Sequence, residues 1–324
     1  MEKKEFDIGT MMPLIIFVVI TVLFGILTRG SIFSGQSLMN IVNQSVPYFL
    51  AGMGMLFVVA MGGTDITCGS IIGIAGTAGA WAALQIGIWA MFPVAILFGA
   101  GIGLLNGVIV SKFKVPSFMC TLAMLLAIRA CVNWWLQASV YHANETMLLF
   151  DNLGIKLPIL IGILALFGFI FRFTPFGKYT RCIGENEMAM QFTGVSVIRT
   201  KIIAFTISGL LAGVAGVFTM VRLGGASNTM GAGIEMKVML CMFLASIPVE
   251  GGAGTAVYKM IIGTLTYFML DAGLTSLGGT SNFNQMVRGI ILIFALYLTH
   301  LAVKATNDKN VKKALEEEKA GGSL

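Results

Sequence analysis

Polar and apolar positions follow one another along this chain in long blocks rather than residue by residue. Apolar runs cover approximately residues 11–27, 46–61, 70–90, 91–111, 118–138, 157–173, 202–222, 236–247, 257–275 and 285–303. Most have the length needed to cross about 30 Å of hydrocarbon at about 1.5 Å per helical residue. They are too long and too continuous for the alternating strands of a membrane barrel. Lipid offers the backbone no hydrogen-bond partners, so helices that satisfy their own amides are the architecture that remains. The pattern predicts an all-α polytopic membrane protein with about ten transmembrane helices.

Two of the runs, 46–61 and 236–247, are short for a span, and each leads into a glycine-rich polar break: "MGGTDITCGS" at 61–70 and "PVEGGAGTAVY" at 248–258. Paired interruptions of this kind mark broken helices beside a transport path in internally duplicated transporters. Two tight turns between ordinary helices leave the same trace, and the pattern alone keeps both readings open. Asp65 and Glu250 lie in these breaks, so a loop or a wet cavity must hold them. Gly99, Gly103 and Gly107, Gly69 and Gly73, and Gly209 and Gly213 with Gly216 close behind make faces on which helix backbones approach closely. Packing within the chain is the reading favoured for most of them. Arg129, Asn133 and Gln137 recur at i, i+4 and i+8, which draws one polar stripe along the 118–138 helix. With Asp65 and Asn106 they are the candidates for a translocation pathway; the plainer alternative is that Arg129 pairs with a nearby acid or snorkels.

Between the runs ending at 173 and beginning near 202 the chain turns polar. "TPFGKYTRCIG" enters this segment with Pro and Gly punctuation. A short helix is predicted from about Asn186, an N-cap residue type, with Glu187 in its first turn and Gly194 as its C-terminal cap. Met188 and Phe192, four apart, share one face. So short a helix is marginal alone, and apolar anchors exposed on it suit a groove in a partner.

Charge orients the chain. With the amino terminus inside, the inner loops collect Lys112, Lys114, Arg172, Lys178, Arg181, Arg199 and Lys201, followed by the lysines of the tail. The longest outer loop carries Glu145 and Asp151 against the single Lys156. An even number of spans with both termini cytoplasmic fits this bias. The first run, preceded by Lys3 and Lys4 and followed by no small-residue cleavage site, reads as a membrane anchor rather than a signal peptide. The organisation is then one transmembrane domain over 1–303, with a charged tail at 304–324 that reads as a solvated extension.

Composition agrees: 57% of residues are hydrophobic, 11% are charged and the mean hydropathy is +0.89. The net charge of +6 is spread over short loops, which speaks for membrane topology and against nucleic acid. The five cysteines are far apart with no CxxC pair, so neither a disulfide framework nor a metal site is indicated.

The polar segment carries a resemblance. "GENEMAMQFTGVSVIRTKIIAFTISGLLAGVAGVFTMVRLGGA" resembles the corresponding part of permease subunits of bacterial ATP-binding cassette importers for ribose, xylose and related sugars, through Gly184, Asn186, Glu187, Ala189, Gly194 and Val195. "GGTDITCGSIIGIAGTAGA" is similar to that family's G-G-x-D-[LI]-[ST]-x-G-S element, and "GLLNGVIVSKFKVPSFMCTLAML" continues the likeness through Asn106, Gly107 and Pro116. It spans roughly residues 45–300. The second break departs from the family's run, keeping only Gly251, Gly252, Gly254, Gly263 and Thr264, and Cys68 is an unusual occupant.

The resemblance implies a type II importer-like fold, a second permease copy, a cytoplasmic ATPase, an extracytoplasmic sugar-binding protein and the bacterial plasma (inner) membrane. The segment at about 177–200 would be the coupling segment, with Glu185 and Phe192 joining the matched residues in contact with the ATPase. Arg288 is a candidate contact for the binding protein. Pentoses, hexoses and the related furanose stay open. No phosphate loop is present, so ATP and magnesium belong to the partner and this chain needs no cofactor. "FSGQS", 33–37, reads as a loop. The competing classes are an ion-coupled carrier, for which Asp65 and Asp271 are the acids available, and a passive channel. A membrane enzyme finds no HExxH, GxSxG or His–Asp cluster.

Overall fold

The computed structural model describes residues 8–138, 140–248, 250–278, 282–291, 293–294 and 297. The regular structure among them is helical, and the one β contact is an isolated bridge between His142 and Gly225. The helices are α1 (Ile8–Leu27), α2 (Gly35–Ala60), α3 (Cys68–Gln85), α4 (Met91–Lys112), α5 (Ser117–Ala138), α6 (Glu145–Leu148), α7 (Leu153–Phe173), α8 (Pro175–Glu185), α9 (Glu187–Phe192), α10 (Val197–Arg222), α11 (Ile234–Leu244) and α12 (Val257–Ser276). Residues 282–291 are helical as well. Five helices, α2, α4, α5, α7 and α10, are long and apolar enough to cross a membrane by length and composition. The last apolar run, 285–303, lies partly outside the described residues, and His300 and the tail 304–324 lie wholly outside them.

Two expectations are corrected. The 46–61 run is the second half of a 26-residue helix, and "FSGQS" is largely its first turn rather than a loop. Ser34 caps that turn by accepting the Ser37 N–H at 3.3 Å. The polar residues Gln36, Ser37, Asn40, Asn43 and Gln44 interrupt the hydropathy without interrupting the helix. "TPFGKYTRCIG", which looked like punctuation, is most of α8. Its Pro175 stands in the first turn, where a missing N–H costs nothing.

The core is built by backbone approach. α10 packs most extensively against α4, then against α2 and α3. A Cβ added to Gly209 would meet the Gly103 Cα at 2.9 Å, and one on Gly107 would meet the Ile202 Cα at 2.8 Å. A Cβ added to Gly216 would meet Ile72 O at 2.7 Å and Gly76 N at 2.9 Å. Of the glycine faces read in the sequence, that of Gly99, Gly103 and Gly107 packs α4 on α10, and Gly216 joins α10 to α3 at Gly76, whereas Gly69 and Gly73 abut the 230–235 segment instead. Without a hydrophobic drive between helices in lipid, this close van der Waals contact is what favours association. A second apolar cluster joins α1 to α11 and α12 through Ile16, Ile20, Phe24, Leu244, Phe268 and Leu274. The outward faces are apolar as well: Leu97, Trp134, Ile161 and Phe169 are all exposed, as a lipid-facing surface requires.

Candidate functional site

Both glycine-rich breaks meet at one end of the bundle. A Cβ on Gly62, whose φ is +73°, would strike Glu250 O at 2.8 Å, and one on Gly251, φ +82°, would strike Val59 O at 2.5 Å and Ala60 O at 2.7 Å. Only glycine combines that left-handed backbone with that proximity. The end of α8 inserts beside them. Gly184 has no room for a side chain against Ala60 and Gly252, and the Glu185 carboxylate accepts the Ala253 N–H at 2.6 Å. The two breaks and α8 thus form one interlocked unit.

From that unit α9 projects. Asn186 Oδ1 accepts the Ala189 N–H at 2.9 Å, which caps the helix, and Gly194 takes the left-handed conformation at φ +81° after it. Glu187 pairs with Lys201 of α10 at 2.8 Å, tying α9 to the long helix behind it. Val195 is partly buried, while Met188 and Phe192 stand 62% and 86% exposed. The segment splits into residues that hold it, Gly184, Glu185, Asn186 and Glu187, and residues that it presents, above all Phe192. Lys201, noticed in the sequence only as one of the inner basic residues, is the missing partner.

Inside the bundle the first break carries a buried polar network. Asp65 is fully buried and accepts from the Thr67 N–H at 3.0 Å, the Thr67 hydroxyl and the Ser208 hydroxyl at 2.7 Å. Asn106 donates to Thr67 Oγ1 at 2.9 Å. One carboxylate therefore gathers the break, α4 and α10. The acid does lie in the non-helical stretch between α2 and α3, and there three hydrogen-bond donors offset its burial. Thr67, just before α3, and Ser208, within α10, gave no sign as partners, the second lying 143 residues away.

The stripe on α5 divides. Arg129 Nη1 donates to Met230 O at 2.8 Å and its Nη2 faces Glu235 Oε2 at 3.9 Å, while Asn133 and Gln137 are exposed. Glu235 was missed because it sits at the threshold of an apolar run, in the first turn of α11. Arg288 lies against Asp271 and over the Tyr267 ring at 5.9 Å, so both ions have a partner within the chain. At the opposite end of the bundle, His142 and Gly225 bridge, and the buried Lys156 pairs with Asp151 and donates to Asn43 of α2 at 2.7 Å. Among the described residues no group of three or more His, Cys, Asp or Glu side chains is arranged to hold a metal ion.

Known proteins match this chain over most of its length. The ribose import permease protein RbsC of Escherichia coli strain K12 is 30% identical over 275 residues, which cover 82% of this chain and 85% of that protein. The xylose transport system permease protein XylH of Haemophilus influenzae is 27% identical, covering 92% and 97%. The fructose import permease protein FrcC of Rhizobium meliloti is 25% identical, covering 88% and 83%. No solved structure matches. The glycine-packed bundle and its two breaks fall within residues 37–296, which match the family described as branched-chain amino acid transport system, permease component, and to that family the chain belongs.

Proposed function

We propose that this chain is the membrane-spanning subunit of an importer for a small neutral sugar, powered by a separate ATPase and supplied by an extracytoplasmic binding protein. The observation that carries the reading is α9: a capped, ion-paired helix displaying Phe192 and Met188, set on an α8 that is keyed into both breaks. Residues 177–200 would dock on the ATPase in the cytoplasm. Closure of an ATPase pair would push α9, and the rigid α8 end would transmit that push to the breaks and the Asp65 network. The bundle would then tip between two accesses. Relatives named for ribose, xylose and fructose support a sugar as the cargo.

The polar stripe of α5 supports a path between two copies of this chain, because Asn133 and Gln137 facing lipid would be unfavourable. An ion-coupled carrier gains no support: Asp65 is held by three donors and Asp271 by Arg288, which leaves neither free to load an ion. The test is reconstitution. Vesicles holding the permease with its ATPase and binding protein should accumulate sugar only with ATP, and Phe192→Asp should abolish accumulation without unfolding the bundle. Accumulation by the permease alone, or unchanged coupling in Phe192→Asp, would refute the reading.

A further inference from the structure

α7 ends in a basic corner beside exposed aromatic side chains. Phe169 and Phe173, one turn apart on α7, stand 59% and 61% exposed with their ring centroids 5.3 Å apart. The Arg172 guanidinium lies over the Phe173 ring, 5.5 Å from its centroid, which holds a positive charge at the head of that apolar face. α7 is the least buried of the five long apolar helices, so this face belongs to the surface that meets hydrocarbon.

Folding brings two more cations to the corner. α8 turns back on α7 so tightly that a Cβ on Gly177 would strike the Phe171 carbonyl carbon at 2.5 Å, and the exposed Arg172 and Lys178 each follow one residue beyond that contact. Arg181, one turn further along α8, sits over the Phe171 ring at 5.4 Å and donates its Nε–H to Gly177 O. Among the described residues none of the three is ion-paired with a carboxylate, and the first turn of α8 carries no acid. Arg129, Lys156, Lys201 and Arg288, by contrast, each face one. Like charges gathered without a counter-ion leave a positive field beside the lipid-facing aromatics.

We propose that this corner binds an anionic phospholipid, its headgroup phosphate held between Arg172 and Lys178 and an acyl chain lying along Phe169 and Phe173. Arginine offers phosphate a planar fork and lysine a point charge, and Arg181 adds to the field from behind. Each basic residue close to anionic lipid contributes about fivefold in affinity. A lipid uses both halves of the corner, whereas a small soluble anion uses the charges and leaves the aromatic face idle. The proposal does not depend on what the chain transports.

The experiment titrates the purified full-length chain in detergent with dioleoyl phosphatidylglycerol and, separately, dioleoyl phosphatidylcholine, and counts retained lipid by native mass spectrometry. The wild type should bind phosphatidylglycerol roughly tenfold or more tightly than phosphatidylcholine. Arg172→Gln combined with Lys178→Gln should lower phosphatidylglycerol affinity about 25-fold and leave phosphatidylcholine binding and the unfolding midpoint in detergent unchanged. Arg172→Lys combined with Lys178→Arg should keep the preference. Lys112→Gln with Lys114→Gln, which removes two exposed cations from the turn between α4 and α5, should keep it too. Equal binding of both lipids by the wild type, an unchanged preference in the double Gln variant, or an equal loss in the Lys112 and Lys114 control would overturn the proposal. Displacement of phosphatidylglycerol by inorganic phosphate at equal concentration would assign the corner to a free anion and overturn it as well.

Discussion

Asp65→Ala would strand the Ser208 hydroxyl and the Thr67 N–H and hydroxyl in the middle of a packed bundle. Each donor left unmade costs about 1–3 kcal/mol, so thermal unfolding in detergent should shift clearly downward, and less in Asp65→Asn, which keeps an acceptor. Glycines supply the second residue-scale test. Gly209→Leu drives a side chain into Gly103 of the facing helix and should destabilise by about 1–3 kcal/mol or more. Gly101→Leu, on the same helix as Gly103 with nothing within 4 Å of its Cβ position, should leave the unfolding temperature unchanged. The spacing of these glycines was legible in the chain because helical periodicity is local. That Asp65 is satisfied by Ser208 was not, because no pattern along a sequence records a partner 143 residues distant.

α8 and α9 are consecutive in the chain yet do different work. α9 is presented and α8 is embedded. Glu185→Ala removes the acceptor of the Ala253 N–H without touching the exposed face of α9. If the proposed importer reading holds, the variant should still co-purify with the ATPase but move less sugar per ATP hydrolysed. Lys201→Ala breaks a half-exposed ion pair and should cost no more than about 1 kcal/mol of stability, since such pairs are weak. α9 was readable from Asn186 and Glu187, whose capping chemistry acts within one turn. α8 was misread because its Pro and Gly resemble turn signals, and only packing against the 59–63 and 250–254 turns reveals a helix. The start of α2 was hidden likewise, by polar residues that a capped helix accommodates.

Across the whole molecule, the central α2–α3–α4–α10 core carries the peripheral helices with few long-range ties. α7, whose apolar faces are mostly exposed, is fastened to α2 by the Asp151–Lys156–Asn43 cluster. Asp151→Ala leaves the Lys156 ammonium with Asn43 alone, and because Asp151 is itself partly exposed the expected loss is about 1–3 kcal/mol. Asp151→Ala combined with Lys156→Met should recover most of it, which a double-mutant cycle on unfolding midpoints would measure. The chain by itself determined the apolar helices, the short capped α9 and where the two glycine-rich breaks fall, because hydropathy and capping are properties of contiguous residues. The tertiary structure decided the rest. Both breaks lock to α8, Arg129 meets Glu235 and Asp271 meets Arg288, because the burial of a polar group is settled by whatever the fold brings beside it.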